Sequence, residues 1–406
     1  MKNDVIIIGG GAAGLCAAVA IKKNNPALSV RLLEALPRVG KKLAATGNGR
    51  CNITNKNIVK ERYHGKDTDF AMFALSRFRG KKTEDFFHSI GVDFIFEEDK
   101  GYPASLQAAS VVDCLRFAAE EAGVIICTEA KVTNIQISRG LYKIIAEKMS
   151  FLAENVIIAA GLLSGGDKLG NDGQMLELMK KAGFNTIKTH PAIVQLKTEP
   201  EIVRQLKGIK VNAEVSLKSN GKLLRREYGE VLFCDYGLSG PPILQVSGMT
   251  SKTQTPVISL DLMPEKSIEA LTNEIRERIS ILSRRTTDEF FTGIMNKRLG
   301  QVIIKSAGYS LNTPVSSLDN NAAENIAELI KDFSFKVTGN TGFINSQVTS
   351  GGLDTNQFDP KTMMSRDCKG LYAIGEILDI DGDCGGFNLQ WAWSSALCAA
   401  ESITTK

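Results

Sequence analysis

The sequence predicts an α/β fold, a doubly wound domain built from both ends of the chain and interrupted by an insertion of strands and helices. Three observations predict it. A β-branched run, a glycine-rich turn and a helical pattern follow one another at the N-terminus, as in a βαβ unit. A strand that ends in glycine returns at 155–161 and at 371–375. Near residue 190 the pattern changes to short strands in which apolar and polar residues alternate.

Composition excludes several classes of protein. A length of 406 residues predicts two or three domains. The apolar fraction of 43% and the charged fraction of 23% are typical of soluble globular proteins, which excludes a disordered chain, a collagen-like fibre and a coiled coil. Lys and Arg number 49 against 45 Asp and Glu, and this balance argues against a nucleic-acid or anionic-membrane surface.

Cysteine and histidine usage predicts a cytoplasmic protein without a metal site. The eight cysteines are scattered and form no C-x-x-C pair, so we expect reduced thiols. Only three histidines occur, and no two have helical ligand spacing. The uncharged run at 5–21 could be taken for a signal peptide or a membrane span, but three consecutive glycines break it. A strand, a turn and a helix explain that run better.

The N-terminal βαβ unit carries a dinucleotide fingerprint, Gly9-x-Gly11-x-x-Gly14. The first glycine makes the tight turn, the second lets a pyrophosphate approach the backbone, and the third lets helix and strand pack closely. A helix from about 13 to 23 would present amides near Ala12 and Ala13 to the phosphates. Glu34 ends the second strand, 29–34, where an acid can bind a ribose 2′-OH and would repel a 2′-phosphate.

The rest of the chain divides into four predicted segments. Residues 1–189 form the first part of the Rossmann-like domain, with a polar loop at 40–55, mostly helix at 69–123, and strands near 124–127, 131–137 and 142–146. Residues 190–264 form an inserted β module, whose Asn220-Gly221 pair predicts a type I′ hairpin turn. Residues 265–338 form a helical module, because apolar residues recur at steps of three and four. Residues 339–406 complete the first domain, ending in a helix at about 389–402.

Two further glycine-rich segments indicate a flavin. The loop at 46–52 can bring its backbone against a flat ring, and the last helix would aim its positive end at the crevice and stabilise negative charge on a reduced flavin. The alternative is that both segments are flexible loops. The residues predicted to bind the cofactor here are Lys42, Thr46, Gly47, Gly49, Arg50, Cys51, Asn52, Gly375, Glu376, Gly386, Asn388, Leu389 and Gln390. Glu376 is placed to bind a ribityl hydroxyl.

These motifs resemble those of a flavoprotein family, the BaiN-like or aminoacetone-oxidase-family FAD-binding enzymes, also called the YhiN family. The resemblance rests on Thr46–Asn52, Gly237–Pro241 and Gly375–Ala392 and spans the chain. It implies a FAD domain of the glutathione-reductase type interrupted by a β-barrel-like module and a helical module. It also implies that Val132 lies near the adenine and that Ala160 and Gly161 lie near the pyrophosphate-side crossover.

The chain departs from the family pattern at Asp235-Tyr236 and at Cys384. Asp235, Tyr236 and Cys384 are therefore weak candidates for catalysis. Cys51 and Cys384 could form a redox pair, but a flavin contact and a small lining residue are the simpler interpretations. The alternating aspartates at 379, 381 and 383 could suggest a metal loop, but they lack the spaced glutamate of an EF-hand and are expected to shape a turn.

The sequence thus predicts a FAD-dependent oxidoreductase acting on a small organic substrate between the FAD domain and the insertion. The resemblance implies NAD(P)H-linked reduction of a conjugated ketone, or oxidation of an amine or aminoketone by oxygen. NAD(P)H would bind transiently, since no second G-x-G-x-x-G follows a strand in mid-chain. A flavin-bound RNA- or partner-binding protein and a redox sensor remain alternatives, although no nucleic acid or membrane partner is expected. The oligomeric state stays open.

Overall fold

A computed structural model describes residues 2–138, 140–147 and 149–405. The chain divides into two compact units, residues 1–191 with 346–406, and residues 192–345. The helices are α1 Ala12–Asn24, α2 Lys41–Ala44, α3 Asp69–Arg77, α4 Lys81–His88, α5 Ala108–Glu121, α6 Gln174–Lys181, α7 Pro200–Gln205, α8 Pro241–Thr250, α9 Ile268–Ile281, α10 Lys297–Ser306, α11 Asn320–Lys331 and α12 Phe387–Thr404.

The strands are β1 Lys2–Ile8, β2 Val30–Leu33, β3 Thr54–Asn55, β4 Tyr63–His64, β5 Phe94–Glu97, β6 Lys100–Pro103, β7 Ile125–Cys127, β8 Val132–Ser138, β9 Leu141–Ala146, β10 Met149–Ile158, β11 Thr186–Ala192, β12 Leu196–Thr198, β13 Lys210–Ser219, β14 Lys222–Cys234, β15 Gly237–Ser239, β16 Pro256–Asp261, β17 Phe333–Asn340, β18 Val348–Leu353, β19 Leu371–Ala373 and β20 Asp381–Gly382.

A doubly wound sheet forms the first unit, which confirms the predicted fold class. Its parallel strands run in the order β7-β2-β1-β10, and β19 adds to β10. The chain moves outward from β1 through β2 to β7 and then returns to the other side of β1, so the strand order reverses between β1 and β10. Ligands bind outside the carboxyl ends of the strands at such a point. The first half of β10 continues into an antiparallel meander with β9 and β8.

Burial on both faces explains the sequence pattern of the central strands. Residues 5–8 of β1 are almost completely enclosed, which only a continuous apolar run allows. Helix α1 packs against α12, and both are apolar around most of their circumference. Trp391 and Trp393 of α12 are buried, and their indole N–H groups donate to Gly375 O and Ile53 O. The last helix is therefore a core element of the unit.

One hairpin of the first unit was not predicted. The region 69–123 contains α3, α4 and α5 as expected, but β5 and β6 pair antiparallel between α4 and α5. Two phenylalanines with Ile95 between them favour a strand, and Glu98 takes a positive φ of 54° at the turn. The run is too short to show a helical or a strand period clearly.

A closed barrel forms the centre of the second unit, in the order β12-β15-β14-β13-β16-β17. Asn220 and Gly221 link β13 to β14 with φ of 47° and 76°, which confirms the predicted turn. The sequence predicted separate β and helical modules. The structure instead gathers barrel and helices around one core, because β17 follows the helices in the chain yet closes the barrel between β16 and β12.

None of the helices described is long and apolar enough to cross a membrane.

Candidate functional site

The glycine turn after β1 leaves one open side. A Cβ on Gly9 would lie 2.5 Å from Ala159 O, and one on Gly14 would lie 1.9 Å from Gly9 O. A Cβ on Gly11 would meet no atom within 4 Å. Gly9 and Gly14 therefore serve the packing of strand and helix, whereas Gly11 borders the space that a pyrophosphate can approach.

Helix α1 presents unpaired backbone amides to that space. Its first intrahelical bond runs from Leu15 N to Gly11 O at 3.0 Å, so the amides of Ala12, Ala13 and Gly14 have no acceptor within the helix. Gly11 gives no side-chain cap, and the first turn carries no acidic residue. This helix end is thus suited to a phosphate anion.

Glu34 stands at the carboxyl end of β2, as predicted. Its Oε2 accepts from Gly10 N and its Oε1 from Leu36 N, both at 2.8 Å. Burial raises the pKa of Glu34, while these backbone N–H bonds oppose the rise. A carboxylate has lone pairs beyond these two bonds, which can accept from a ribose hydroxyl. Ala130 N donates to Glu34 O, so the chain leading to Val132 runs beside the same end.

Lys42 and Glu376, which are 334 residues apart in sequence, meet in an ion pair of 2.5 Å. The second carboxylate oxygen of Glu376 accepts from Thr349 N at 2.8 Å. Gly161 turns beside this carboxylate with a φ of 64°, and Ala160 packs against Gly9. The structure therefore brings these predicted residues from three parts of the chain to the carboxyl ends of β1 and β10.

The loop at 46–52 is a tight turn rather than an extended segment. Gly47, Asn48 and Gly49 all take positive φ. Thr46 Oγ1 donates to Leu43 O at 2.7 Å, so its side chain closes the turn. Cys51 is buried, and burial raises the pKa of its thiol to about 12.

Arg50 contacts a neighbouring hairpin. Its guanidinium pairs with Glu97 and lies 4.4 Å from the centre of the Tyr102 ring. Both partners belong to the hairpin of β5 and β6, which the sequence did not reveal. The guanidinium of Arg50 is therefore held by this hairpin.

The N-terminus of α12 also leaves backbone amides without an intrahelical acceptor. The first intrahelical bond runs from Gln390 N to Gly386 O at 2.9 Å, which leaves the amides of Phe387, Asn388 and Leu389 without an intrahelical acceptor. Gly386 has a φ of 98°, and a Cβ there would lie 2.7 Å from Asn52 Oδ1. That oxygen has no hydrogen-bond partner in the part of the chain that is described.

Two side chains that were predicted to bind the cofactor form hydrogen bonds within the protein instead. Asn388 donates to Gly382 O and accepts from Gly382 N, which fixes the loop before α12. Gln390 is fully buried and donates to Phe78 O and Ser394 Oγ, both at 2.8 Å. The backbone amide of Asn388 remains for a cofactor, whereas that of Gln390 is bonded to Gly386 O. Gly375 packs against Ala13, where a Cβ would be 3.0 Å from the Ala13 side chain.

The alternating aspartates anchor a segment that sequence reasoning missed. Asp383 is buried and binds Arg62 at 3.1 Å and His64 Nε2 at 2.7 Å. Asp379, also buried, accepts from Lys66 N at 2.8 Å. The only sequence signal was the alternation of the aspartates, because their partners lie over 300 residues away. Among the described residues, no group of three or more His, Cys, Asp or Glu side chains could hold a metal ion.

The three candidates for catalysis differ in their protonation. Lys207 pairs with the exposed Asp235 at 2.7 Å and lowers the pKa of its carboxyl group, so Asp235 is an ionised acceptor. Burial, followed by the neighbouring Cys234, raises the pKa of Tyr236 to about 12. Burial also raises the pKa of Cys384. None of the eight cysteines, all of which are described, forms a disulfide.

FAD fits the arrangement in the first unit. The open side of Gly11 and the amides of α1 suit its pyrophosphate, the carboxylate of Glu34 suits a ribose, and the amides of α12 suit the electron-rich edge of a flavin. These groups come from both ends of the chain. The amides of α1 and α12 are hydrogen-bond donors and suit the negatively charged parts of FAD. The carboxylate of Glu34 is an acceptor and suits a ribose hydroxyl.

The chain is similar over its whole length to a protein family and to characterised proteins. The family model described as HI0933-like protein Rossmann domain matches residues 3–402. A 3-dehydro-bile acid delta(4,6)-reductase of Clostridium scindens is 34% identical over 411 residues, and the match covers 100% of both chains. A ribosomal RNA dihydrouridine synthase of Escherichia coli is 28% identical over 410 residues, and the match covers 100% of this chain and 99% of that protein.

Solved structures share the fold at low sequence identity. A 3-ketosteroid-delta4-(5alpha)-dehydrogenase from Rhodococcus jostii is 13% identical with a TM-score of 0.50, covering 100% of this chain and 97% of that one. A 3-ketosteroid delta1-dehydrogenase from Sterolibacterium denitrificans is 12% identical with a TM-score of 0.51, covering 100% and 99%. The chain belongs to the HI0933-like Rossmann family, the BaiN-like or YhiN flavoprotein group that its motifs resemble, and has a Rossmann-like FAD-binding fold.

Proposed function

We propose that this FAD-dependent oxidoreductase reduces a carbon–carbon double bond conjugated to a carbonyl group, with NADH or NADPH as the electron source. One observation carries the proposal: two relatives that match over the whole chain have names describing this kind of reduction. One acts on a 3-dehydro bile acid with unsaturation at positions 4 and 6. The other forms dihydrouridine, in which a double bond conjugated to a carbonyl of uracil is saturated.

The geometry of the first unit supports this chemistry. Bound FAD supplies the hydride transfer. The amides of Ala12, Ala13 and Gly14 bind the pyrophosphate, and Glu34 orients the adenosine ribose. The amide end of α12 favours negative charge at the edge of the flavin ring.

Saturation of the double bond also requires a proton at the carbon next to the carbonyl. A proton donor must hold its proton at neutral pH, and Tyr236 satisfies this requirement because its pKa is raised to about 12. Asp235 does not, since Lys207 keeps its carboxyl group ionised. Of these two residues, Tyr236 is therefore the candidate for the donor.

A small organic substrate is favoured over RNA by the charges of the insertion. Arg225 pairs with Glu227 at 2.7 Å, and Arg226 pairs with Glu214 at 3.1 Å on the same barrel strands. Lys210 pairs with Glu230 at 2.8 Å. Cations neutralised in this way contribute little to phosphate binding, which depends on unpaired Lys and Arg side chains.

Flavin spectroscopy tests the proposal. Protein loaded with FAD is mixed without oxygen with NADH or NADPH, and then with a 3-oxo-4,6-diene steroid, with a uridine-containing ribosomal RNA fragment, or with air. We expect the nicotinamide to bleach the flavin absorption and the steroid to restore it. Restoration by the RNA fragment alone would move the substrate class to nucleic acid. Bleaching only by aminoacetone, with recovery in air, would contradict the reductase proposal and favour an oxidase.

A further inference from the structure

Two oxygen atoms flank an unfilled position beside Gly161. The chain leaves β10 and turns there with a φ of 64°. A Cβ at Gly161 would lie 3.2 Å from Asn171 Oδ1 and 3.7 Å from Glu376 Oε2. The absence of a side chain thus leaves both oxygens facing the same small volume.

Asn171 holds its oxygen toward that volume without a partner. The residue is 6% exposed, and its Nδ2 donates to Ser164 O at 2.6 Å. Because a carbonyl can only accept, this bond determines which end of the amide faces Gly161. No hydrogen bond reaches Oδ1 from residues 2–138, 140–147 or 149–405. Because no described residue donates to this oxygen, it is available to accept a hydrogen bond from a ligand.

Glu376 adds a second acceptor on the other side. Its Oε1 accepts from Thr349 N and its Oε2 pairs with Lys42, yet a carboxylate can accept further hydrogen bonds. A ligand between Asn171 and Glu376 must therefore present donors. A phosphate has only acceptors at neutral pH and does not suit this position.

The position lies next to the phosphate-binding turn. Ala160 Cα is only 2.8 Å from where a Cβ of Gly9 would stand, and Gly375, adjacent to Glu376, packs against Ala13. In FAD, the ribityl chain carries hydroxyl donors directly beside the pyrophosphate. The other hydroxyl-bearing part, the adenosine ribose, is assigned to Glu34 at the end of β2.

We propose that Asn171, together with Glu376, binds the ribityl hydroxyls of FAD, with Asn171 Oδ1 accepting from one of them. This inference rests on the FAD binding described above. Asn171 then favours FAD, because its oxygen can accept a hydrogen bond from a hydroxyl of the ribityl chain but not from a phosphate. Nothing in the glycine motifs marks this residue.

Equilibrium binding of FAD analogues tests the role of Asn171. The apoprotein and its Asn171→Ala variant are titrated with FAD and with three analogues in which the 2′-, 3′- or 4′-hydroxyl of the ribityl chain is replaced by hydrogen, and Kd is read from flavin fluorescence. We expect Asn171→Ala to weaken FAD about tenfold. One of the three analogues should bind the wild type as weakly as FAD binds the variant. The same analogue should bind the wild type and the variant with equal Kd.

Asn155→Ala is the matched control, because Asn155 Nδ2 also donates to a backbone carbonyl, Asp4 O, but elsewhere in the sheet. It should leave all four affinities unchanged. Equal weakening of FAD and every analogue by Asn171→Ala would overturn the inference, as would no weakening at all. If that variant does not fold, Asn171→Ser supplies the same comparison. A wild type that binds no FAD would overturn the cofactor assignment itself, and that outcome is read before any variant is made.

Discussion

Gly11 and Gly14 belong to one motif but meet different physical demands. A side chain at Gly14 would overlap Gly9 O, whereas one at Gly11 would point into open space. Gly11 also has an ordinary extended backbone, with φ of −83°. Gly14 therefore affects folding, and Gly11 affects only what binds.

We expect Gly14→Ala and Gly11→Ala to separate stability from FAD affinity. Gly14→Ala forces helix and strand apart and should lower the free energy of unfolding by roughly 1–3 kcal/mol. Gly11→Ala should leave apoprotein stability nearly unchanged and weaken FAD at least tenfold, because the methyl group occupies the pyrophosphate path. Urea unfolding of the apoproteins and FAD titration check the pair. Equal losses of stability in both variants would contradict this division.

Glu34 gives a pH dependence with a defined sign. Burial raises its folded pKa above the ordinary value of 4.5, so the folded apoprotein binds this proton more tightly than the unfolded chain. Its contribution then becomes more favourable as the pH falls through the folded pKa toward the unfolded one, and is lost again as the pH rises. The unfolding free energy of wild type minus that of Glu34→Gln should therefore increase as the pH falls from 7 to the ordinary value of 4.5. A difference that stays constant over this whole range would contradict the raised pKa.

At the level of elements, α12 is positioned by its own first turn. Asn388 bonds both the N–H and the C=O of Gly382 and also donates to Asp383 O. The sequence marked Asn388 as a cofactor residue, because a helix start in a glycine-rich loop indicates a binding site. It could not show that the side chain clamps the loop, since this depends on how residues 382 and 383 curl back over the helix.

Loss of this clamp should loosen the amide end of α12. We expect Asn388→Ala to cost about 1–3 kcal/mol of stability and to weaken FAD several-fold, because three hydrogen bonds that hold the loop are removed. Asn325→Ala is the control: Asn325 donates to Ala307 O in the insertion and should affect stability alone. FAD titration measures the affinity of both variants, and thermal unfolding measures their stability. An Asn388→Ala variant with unchanged FAD affinity would mean that the loop holds without the clamp.

How far sequence reasoning reached depended on the distance between interacting residues. The glycine turn, Glu34 and the Asn220-Gly221 hairpin could be predicted because each depends on neighbours within about one βαβ unit. The distant partners of Arg50 and Gln390 could not, since they lie on a hairpin and at the end of α3, which no local pattern connects to them. Asn171 escaped because Glu376, which lies beside the same position, is in the last part of the chain.

Across the whole molecule, the insertion interrupts the first unit in sequence between β11 and β18. Strand β11 ends at Ala192 and pairs with β18, which begins at Val348. Residues 192–345 have their own core, and their barrel is closed by strands of the insertion alone. The FAD residues identified above all belong to the other unit. Cofactor binding and the folding of the insertion are therefore separable.

We expect the insertion to be removable without loss of FAD binding. A chain in which residues 193–345 are replaced by a short glycine-serine linker should fold and bind FAD within about threefold of the full-length affinity, because each residue assigned to the cofactor remains. It should lose steroid-dependent reoxidation, since Tyr236 is removed. The isolated residues 192–345 should unfold cooperatively in urea. If the shortened protein turns over the steroid at the full rate, Tyr236 is not the proton donor, whereas failure to bind FAD would show that the insertion supports the cofactor site.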